Sequence, residues 1–280
     1  MMTNKLNIAF LGGGNMAGAL IEGLLRQGTA ADCLHVIDIN QHTQQHWRKR
    51  GLSVSDAADD LLGQCSIWVL AVKPQQLREV VAQAKPFLKP DTVVLSIAAG
   101  ISMSSLSQWL GDDTTPWPLV VRAMPNTPAL VEKGMTGLVA SKGLNAKGRD
   151  EIERIMGSVG EVVWVDSDAM IDAVTAVSGS GPAYVFRFIE AMMAAARELG
   201  LDEQQAKRLT LATLSGATAL AGESEEPVST LRERVTSKGG TTQAALDVMN
   251  QGHFFETIQK AMHAAHQRAG ELSKEFGQTK

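Results

Sequence analysis

Gly12, Gly14 and Ala17 carry the spacing G-x-G-x-x-A, just after an apolar run and just before a helix-forming stretch. Residues of these types at this spacing suit the binding of a pyrophosphate. Gly12 makes the tight turn, Gly14 lets main chain approach the phosphates with no Cβ in the way, and Ala17 lets the helix pack close to the strand. The start of that helix, at Asn15 and Met16, offers unpaired N–H groups and the positive end of a dipole. A plain structural turn uses the same residues. The strand before it and the helix after it are what favour binding.

In an open α/β sheet, ligands lie at the carboxyl ends of the strands, so the residues after each apolar run come next. After the second run stand Asp38, Ile39 and Asn40. An acid at this place favours the ribose hydroxyls of NAD, and a nearby arginine the phosphate of NADP. Arg48, Lys49 and Arg50 lie late on the following helix, where a solvated face is the simpler reading. The residues alone therefore leave the cofactor open. After the third run come Ala71, Val72, Lys73 and Pro74, a lysine facing either a cofactor or solvent before a proline-started helix. After the fourth come Ala98 and Ala99, small enough to admit a flat ring. After the fifth, Asn126 is held between Pro125 and Pro128, either as a rigid ligand-orienting amide or as part of a turn. Two glycine-rich breaks follow, SGSGPAY at 178–184 and SKGGTT at 237–242. The second brings hydroxyls and free N–H groups to a helix start, which makes either a small anion site fit for a carboxylate or a capping turn.

These residues need a scaffold of alternating elements. Candidate strands are 6–11, 34–39, 67–72, 93–97, 119–122, 137–140 and 162–165, apolar on both faces as buried parallel strands are. Candidate helices are 15–27, 41–50, 74–84, 104–110 and 146–159. The pattern predicts an α/β domain over residues 1–165, a Rossmann-type doubly wound sheet with helices on both faces. Strand signals then vanish. Residues 166–280 predict an all-α domain, in which 192–196 are apolar nearly all round and belong inside a bundle or at a subunit interface.

Composition excludes several classes. A formal net charge of −4 argues against a nucleic-acid partner. No stretch reaches the ~18 unbroken apolar residues of a membrane span. The apolar stretch 8–25 is interrupted by three glycines, Asn15 and Glu22, so no signal peptide is expected. Cys33 and Cys65 have neither metal-ligand nor disulfide spacing, which suits a reducing cytoplasm. The six histidines form no metal-binding pattern with acids and cysteines, and no metal is expected.

Taken together, FLGGGNMAGAL at 10–20, AVKP at 71–74, RAMPNTP at 122–128, DAVTAVSGSGPAYVF at 172–186 and LRERVTSKGGTT at 231–242 resemble pyrroline-5-carboxylate reductase. The last two stretches are the specific ones, and the resemblance runs from Ile8 to about Leu272. It implies hydride transfer from NADPH, with NADH also possible, to the imine carbon of 1-pyrroline-5-carboxylate, giving L-proline. It implies that Gly12, Gly14, Asn15 and Met16 line the pyrophosphate, and that Asn40 lies near the adenosine ribose and its 2′-phosphate. Ala71, Val72, Lys73 and Pro74, with Ala98 and Ala99, would run beside the dinucleotide. Ser237, Gly240, Thr241 and Thr242 would hold the substrate carboxylate, with the Thr242 hydroxyl near the ring nitrogen. It further implies a homodimer or larger assembly whose helical domains interlock, the carboxylate loop of one chain completing the site on the other. Two departures from the family stand out. Lys238 replaces a usual proline, and Ala58, beside Asp59, replaces an asparagine. The competing readings are a reductase of another cyclic imine or a hydroxyacid, and a dinucleotide-sensing regulator without catalysis. The hydroxyacid reading wants a lysine early in the second domain, and residues 168–186 contain none.

Overall fold

The computed structural model describes residues 7–277. Leu6, expected to open the first strand, lies outside them. Eight strands form one sheet: β1 (Ile8–Leu11), β2 (Leu34–Ile37), β3 (Ser53–Ser55), β4 (Ile67–Leu70), β5 (Val93–Ser96), β6 (Val120–Met124), β7 (Gly134–Ala140) and β8 (Gly160–Trp164). Their order is β3-β2-β1-β4-β5-β6-β7-β8.

Alternation along each strand builds two cores, because successive side chains point to opposite faces. Ile8 and Phe10 pack with Ile67, Val69 and Leu95 under α1 (Asn15–Arg26), α2 (Gln41–Lys49) and α5 (Ala146–Met156). Ala9 and Leu11 pack with Trp68, Leu70 and Val94 under α3 (Pro74–Ala84) and α4 (Met103–Leu110). This is the doubly wound arrangement that the apolar runs predict. Each fully buried Leu, Ile or Phe in these layers contributes about 1.5–3 kcal/mol of apolar transfer.

Three details differ from the sequence reading. β3 has only three residues and no apolar run to announce it. α5 ends at Met156, and residues 157–159 form a separate 3-10 turn. The sheet is not wholly parallel, since β7 runs antiparallel to β6. The link between those two strands carries only the 3-10 turn Thr127–Val131. A parallel return needs a crossover of about a dozen residues or more.

The sheet ends at Trp164, one residue before the boundary read from the sequence. The compact unit containing it runs on to Ser180 and takes in the chain from Ala265 onward. Buried Arg122 on β6 helps bind this tail: it pairs with Asp168 at 2.8 Å and approaches Asp172 of α6 (Met170–Val174) at 3.6 Å. Asp168 also accepts from the Met103 N–H at 3.1 Å. A Cβ on Gly100, whose φ is +73°, would meet the Phe276 ring at 2.8 Å, so the β5–α4 turn packs tightly on the chain's last helix.

The second compact unit is Gly181–Ala264. It holds α7 (Gly181–Glu198), α8 (Glu203–Glu223), α9 (Val228–Arg234), α10 (Thr241–Gln251) and the first part of α11 (Phe254–Gly277). Asp202 and Gln205 form a reciprocal capping box that starts α8. α7, α9 and α10 have no buried residue, and Phe186 and Phe255 are 58% and 70% exposed. The apolar 192–196 stretch therefore lies on a helix that one chain leaves largely uncovered. Among the described residues, no helix is long and apolar enough to cross a membrane.

Candidate functional site: a glycine cradle and a glycine turn

β1 is flanked by β2 and β4, so the strand order reverses beside it, and a crevice opens at the carboxyl ends of these strands. The three glycines at its mouth have different tasks. Gly12 has φ +98°, and a Cβ there would lie 2.8 Å from the Ala71 carbonyl oxygen. A Cβ on Gly13 would lie 2.7 Å from the Thr43 methyl, and the Trp47 indole N–H donates to the Gly13 carbonyl at 3.2 Å. Gly14 has φ −73°, and no atom lies within 4 Å of its would-be Cβ. The protein itself requires the first two glycines. The third faces open space.

Gly14 also caps α1, with no side chain over the helix end. The first intrahelical bond runs from the Gly18 N–H to the Gly14 carbonyl at 2.7 Å. The N–H groups of Asn15, Met16 and Ala17 are thus unclaimed by the helix and point out of it. An anion at this place would meet both those donors and the positive end of the helix.

The crevice encloses about 370 Å³, within the range of small-molecule sites. Of the residues read from the sequence, Gly12, Gly14, Asp38, Ile39, Ala71, Val72 and Lys73 line it. Pro74 lies behind them as the first residue of α3, with Lys73 as its extended N-cap. Asn15 lines a neighbouring hollow beside Gly13 and Gly14. Met16 packs partly buried on the core. Asn40 does not line the crevice: its Oδ1 accepts from the N–H groups of His42 (2.9 Å) and Thr43 (3.3 Å) and caps α2. Ala98 is buried in the second core, and Ala99 beside it is exposed.

Sequence reasoning missed one wall. Gln76, Glu79, Val80 and Gln83 line the crevice along one face of α3, at the i, i+3, i+4, i+7 spacing that a proline-started helix after a strand end presents. Ala58, which stands where the family has an asparagine, lines it from the segment after β3 together with Asp56 and Ala57, two residues that went unread with that strand. Asp59 anchors this segment by accepting from the Ser55 hydroxyl and from the Leu61 and Leu62 N–H groups at 3.0 and 3.1 Å. Burial alone would raise the Asp59 carboxyl. The donated hydrogen bonds and His35, whose Nε2 lies 3.2 Å away, outweigh it and hold the pKa below the ordinary 3.8.

Asn126 proves to be structural. Its amide donates to the Ser178 carbonyl at 3.0 Å and accepts from the Met135 N–H at 2.9 Å, tying the RAMPNTP loop to the π-helical turn Thr175–Gly179. Both ends of the amide are spent inside the protein.

In the helical unit, residues 237–240 close a turn. The Gly240 N–H donates to the Ser237 carbonyl at 3.0 Å, and Gly239 has φ +72°. A positive φ at the third position is the mark of a type II turn, whose second position favours proline. Lys238 occupies that second position. Gly240 then caps α10 without a side chain over the end. The first-turn N–H groups, with the hydroxyls of Thr241 and Thr242, stand at an uncapped helix start of eleven residues. Such a junction suits a carboxylate.

Residues 168–272 match the family model described as pyrroline-5-carboxylate reductase dimerisation. Residues 7–100 match the one described as NADP oxidoreductase coenzyme F420-dependent. A pyrroline-5-carboxylate reductase of Pseudomonas aeruginosa is 42% identical, covering 97% of this chain and 98% of that protein. One of Haemophilus influenzae is 41% identical over 98% of this chain and all of its own length. Among solved structures, the Coxiella burnetii enzyme of that name superposes with a TM-score of 0.88 at 38% identity, covering 96% and 99% of the two chains. A Plasmodium falciparum pyrroline carboxylate reductase with NADP bound gives 0.84 at 28% identity, covering 98% and 100%.

Proposed function

The chain belongs to the pyrroline-5-carboxylate reductase family, and from that premise we propose that it reduces 1-pyrroline-5-carboxylate to L-proline with NADPH, the last step of proline biosynthesis. The observation that carries the proposal is the second glycine turn. A dinucleotide cradle alone would serve any reductase; an uncapped helix start with two hydroxyls adds a seat for a carboxylate.

The cradle fits a dinucleotide, since Gly14 opens onto empty space where main chain must approach a pyrophosphate. In this reading Gly12, Gly14, Asn15 and Met16 hold the pyrophosphate, and Ala71, Val72, Lys73 and Pro74 flank the dinucleotide. Asn40 lies near the adenosine ribose and its 2′-phosphate, and Ala98 and Ala99 run beside the dinucleotide towards the nicotinamide. The dinucleotide supplies the hydride when bound. The imine carbon gains that hydride, the ring nitrogen gains a proton, and the C=N double bond becomes a C–N single bond. Ser237, Gly240, Thr241 and Thr242 hold the carboxylate, and the Thr242 hydroxyl stands near the ring nitrogen. The protein's contribution is chiefly proximity and orientation.

The sheet-bearing part, residues 1–165, carries the nucleotide in this account. Residues 166–280 carry dimerisation and substrate binding. The uncovered apolar faces of α7, α9 and α10 support a homodimer, with the glycine turn of one chain completing the site of the other. Two buried, unpaired thiols support a cytoplasmic location.

The test is NADPH oxidation dependent on added 1-pyrroline-5-carboxylate, measured on the purified protein and on Thr242→Ala. The variant should raise KM for the imine or lower kcat while leaving NADPH affinity within about twofold. No turnover by the wild type, or an equal loss of cofactor and substrate binding in the variant, contradicts the proposal.

A further inference from the structure

We propose that Asp38 sets the balance between NADH and NADPH in this chain, penalising the 2′-phosphate so that NADH is accepted alongside NADPH. The inference rests on the nucleotide reading above and concerns the same crevice.

Asp38 lies directly beyond β2 and lines the crevice. Its carboxylate is fixed by two main-chain donors: Gly13 N–H to Oδ2 at 2.8 Å and Asn40 N–H to Oδ1 at 2.8 Å. Held from both sides, it cannot swing away from a ligand. Each oxygen keeps a further lone pair, which a ribose hydroxyl can satisfy by donating. A phosphate ester carries up to two negative charges at neutral pH and acceptor oxygens, and repels the carboxylate instead.

The charges that line the crevice do not offset that repulsion. The charged lining is Asp38, Asp56 and Glu79 against Lys73 alone, three acids to one base. Among the described residues no arginine lines the crevice. Arg48 donates to the Val54 carbonyl at 3.4 Å, and Arg50 is paired through two nitrogens with Glu22. The start of α2 could otherwise receive a phosphate, but the Asn40 side chain already occupies its His42 and Thr43 N–H groups. α1 and α2 differ in this respect: one helix start is open to an anion, the other is closed by its own cap.

The test compares adenosine 5′-monophosphate with adenosine 2′,5′-bisphosphate, which differ only in the 2′-phosphate, by calorimetric titration of the full-length protein. In Asp38→Asn, which removes the charge, keeps an acceptor oxygen for one of the two main-chain donors and loses the bond to the other, both nucleotides share that loss and the affinity ratio should move about tenfold toward the bisphosphate. That is the worth of ~1.4 kcal/mol of relieved repulsion between partly hydrated charges. Raising salt on the wild type gives the same answer without a variant, because screening should favour the bisphosphate relative to the monophosphate. A ratio unchanged by Asp38→Asn, or a wild-type ratio that salt moves toward the monophosphate, overturns the inference and leaves the nucleotide site standing. Failure of both nucleotides to bind the wild type overturns the nucleotide site and the inference with it.

Discussion

Gly12 and Gly14 lie two residues apart in one turn, yet alanine should affect them in opposite ways. At Gly12 the substitution forces an L-residue to φ +98° and sets a methyl 2.8 Å from the Ala71 carbonyl oxygen and 2.9 Å from its carbon. The backbone strain costs about 1–3 kcal/mol. Shifting the β4–α3 link adds ~1–3 kcal/mol, for a loss of about 2–6 kcal/mol. At Gly14, φ is −73° and nothing lies within 4 Å. Alanine is a poorer N-cap than glycine, but it restricts the unfolded chain by ~0.4–1 kcal/mol. The two effects oppose, and stability should stay within about 1 kcal/mol. Binding should suffer instead, because the methyl enters the space where a phosphate approaches the first turn of α1. Losing one charge-assisted hydrogen bond costs about 1.5–3 kcal/mol, which weakens nucleotide affinity roughly 10- to 100-fold. The assay is paired: urea unfolding at one protein concentration, and NADPH titration by fluorescence. Gly14→Ala binding NADPH as the wild type does, or losing as much stability as Gly12→Ala, would refute the division of labour.

Three further substitutions test other parts of the structure. Asn126→Ala should cost about 2–4 kcal/mol in urea unfolding, since it leaves the Ser178 carbonyl and the Met135 N–H without their side-chain partner; a loss below 1 kcal/mol would mean water replaces it freely. Asp112 accepts from the hydroxyls and N–H groups of Thr114 and Thr115, the Thr114 hydroxyl first, and its pKa is held well below the ordinary 3.8. A depressed carboxylate stabilises the fold above its unfolded value, and that stability is lost as pH falls through the folded value. Asp112→Asn should therefore flatten the decline in stability below pH 3.8, and an unchanged acid slope would contradict the assignment. Lys238→Pro should raise stability by about 0.4–1 kcal/mol, because the second position of a type II turn already suits proline. Destabilisation would show that the Lys238 N–H is needed.

Much of the fold was readable because apolar runs interrupted by glycine and proline report buried strands directly. β1, β4 and β5 stand out for that reason. β3 did not, as Ser53–Ser55 is too short and too polar to carry a periodic signal. The antiparallel β7 was hidden in a connection length rather than in residue types. At the site, the glycine spacing was visible, but the distinct tasks of its members were not. Only the positions of Ala71 and Trp47 show that Gly12 and Gly13 leave no room for a side chain while Gly14 faces open space. Asn126 looked like a ligand-orienting amide because its partners at Ser178 and Met135 are remote from any local pattern, and the part the Asn40 side chain plays as the cap of α2 needed the helix start to be seen. Asp38 was visible as an acid at a strand end; that its carboxylate is locked by Gly13 and Asn40 required the structure.

The central claim is tested most directly by following the hydride. The purified protein is incubated with 1-pyrroline-5-carboxylate and NADPH carrying deuterium at the transferable C4 position, and the product is read by mass spectrometry and NMR. The account predicts L-proline with a single deuterium on the carbon that had been the imine carbon. Absence of proline, or proline without that label, would contradict it.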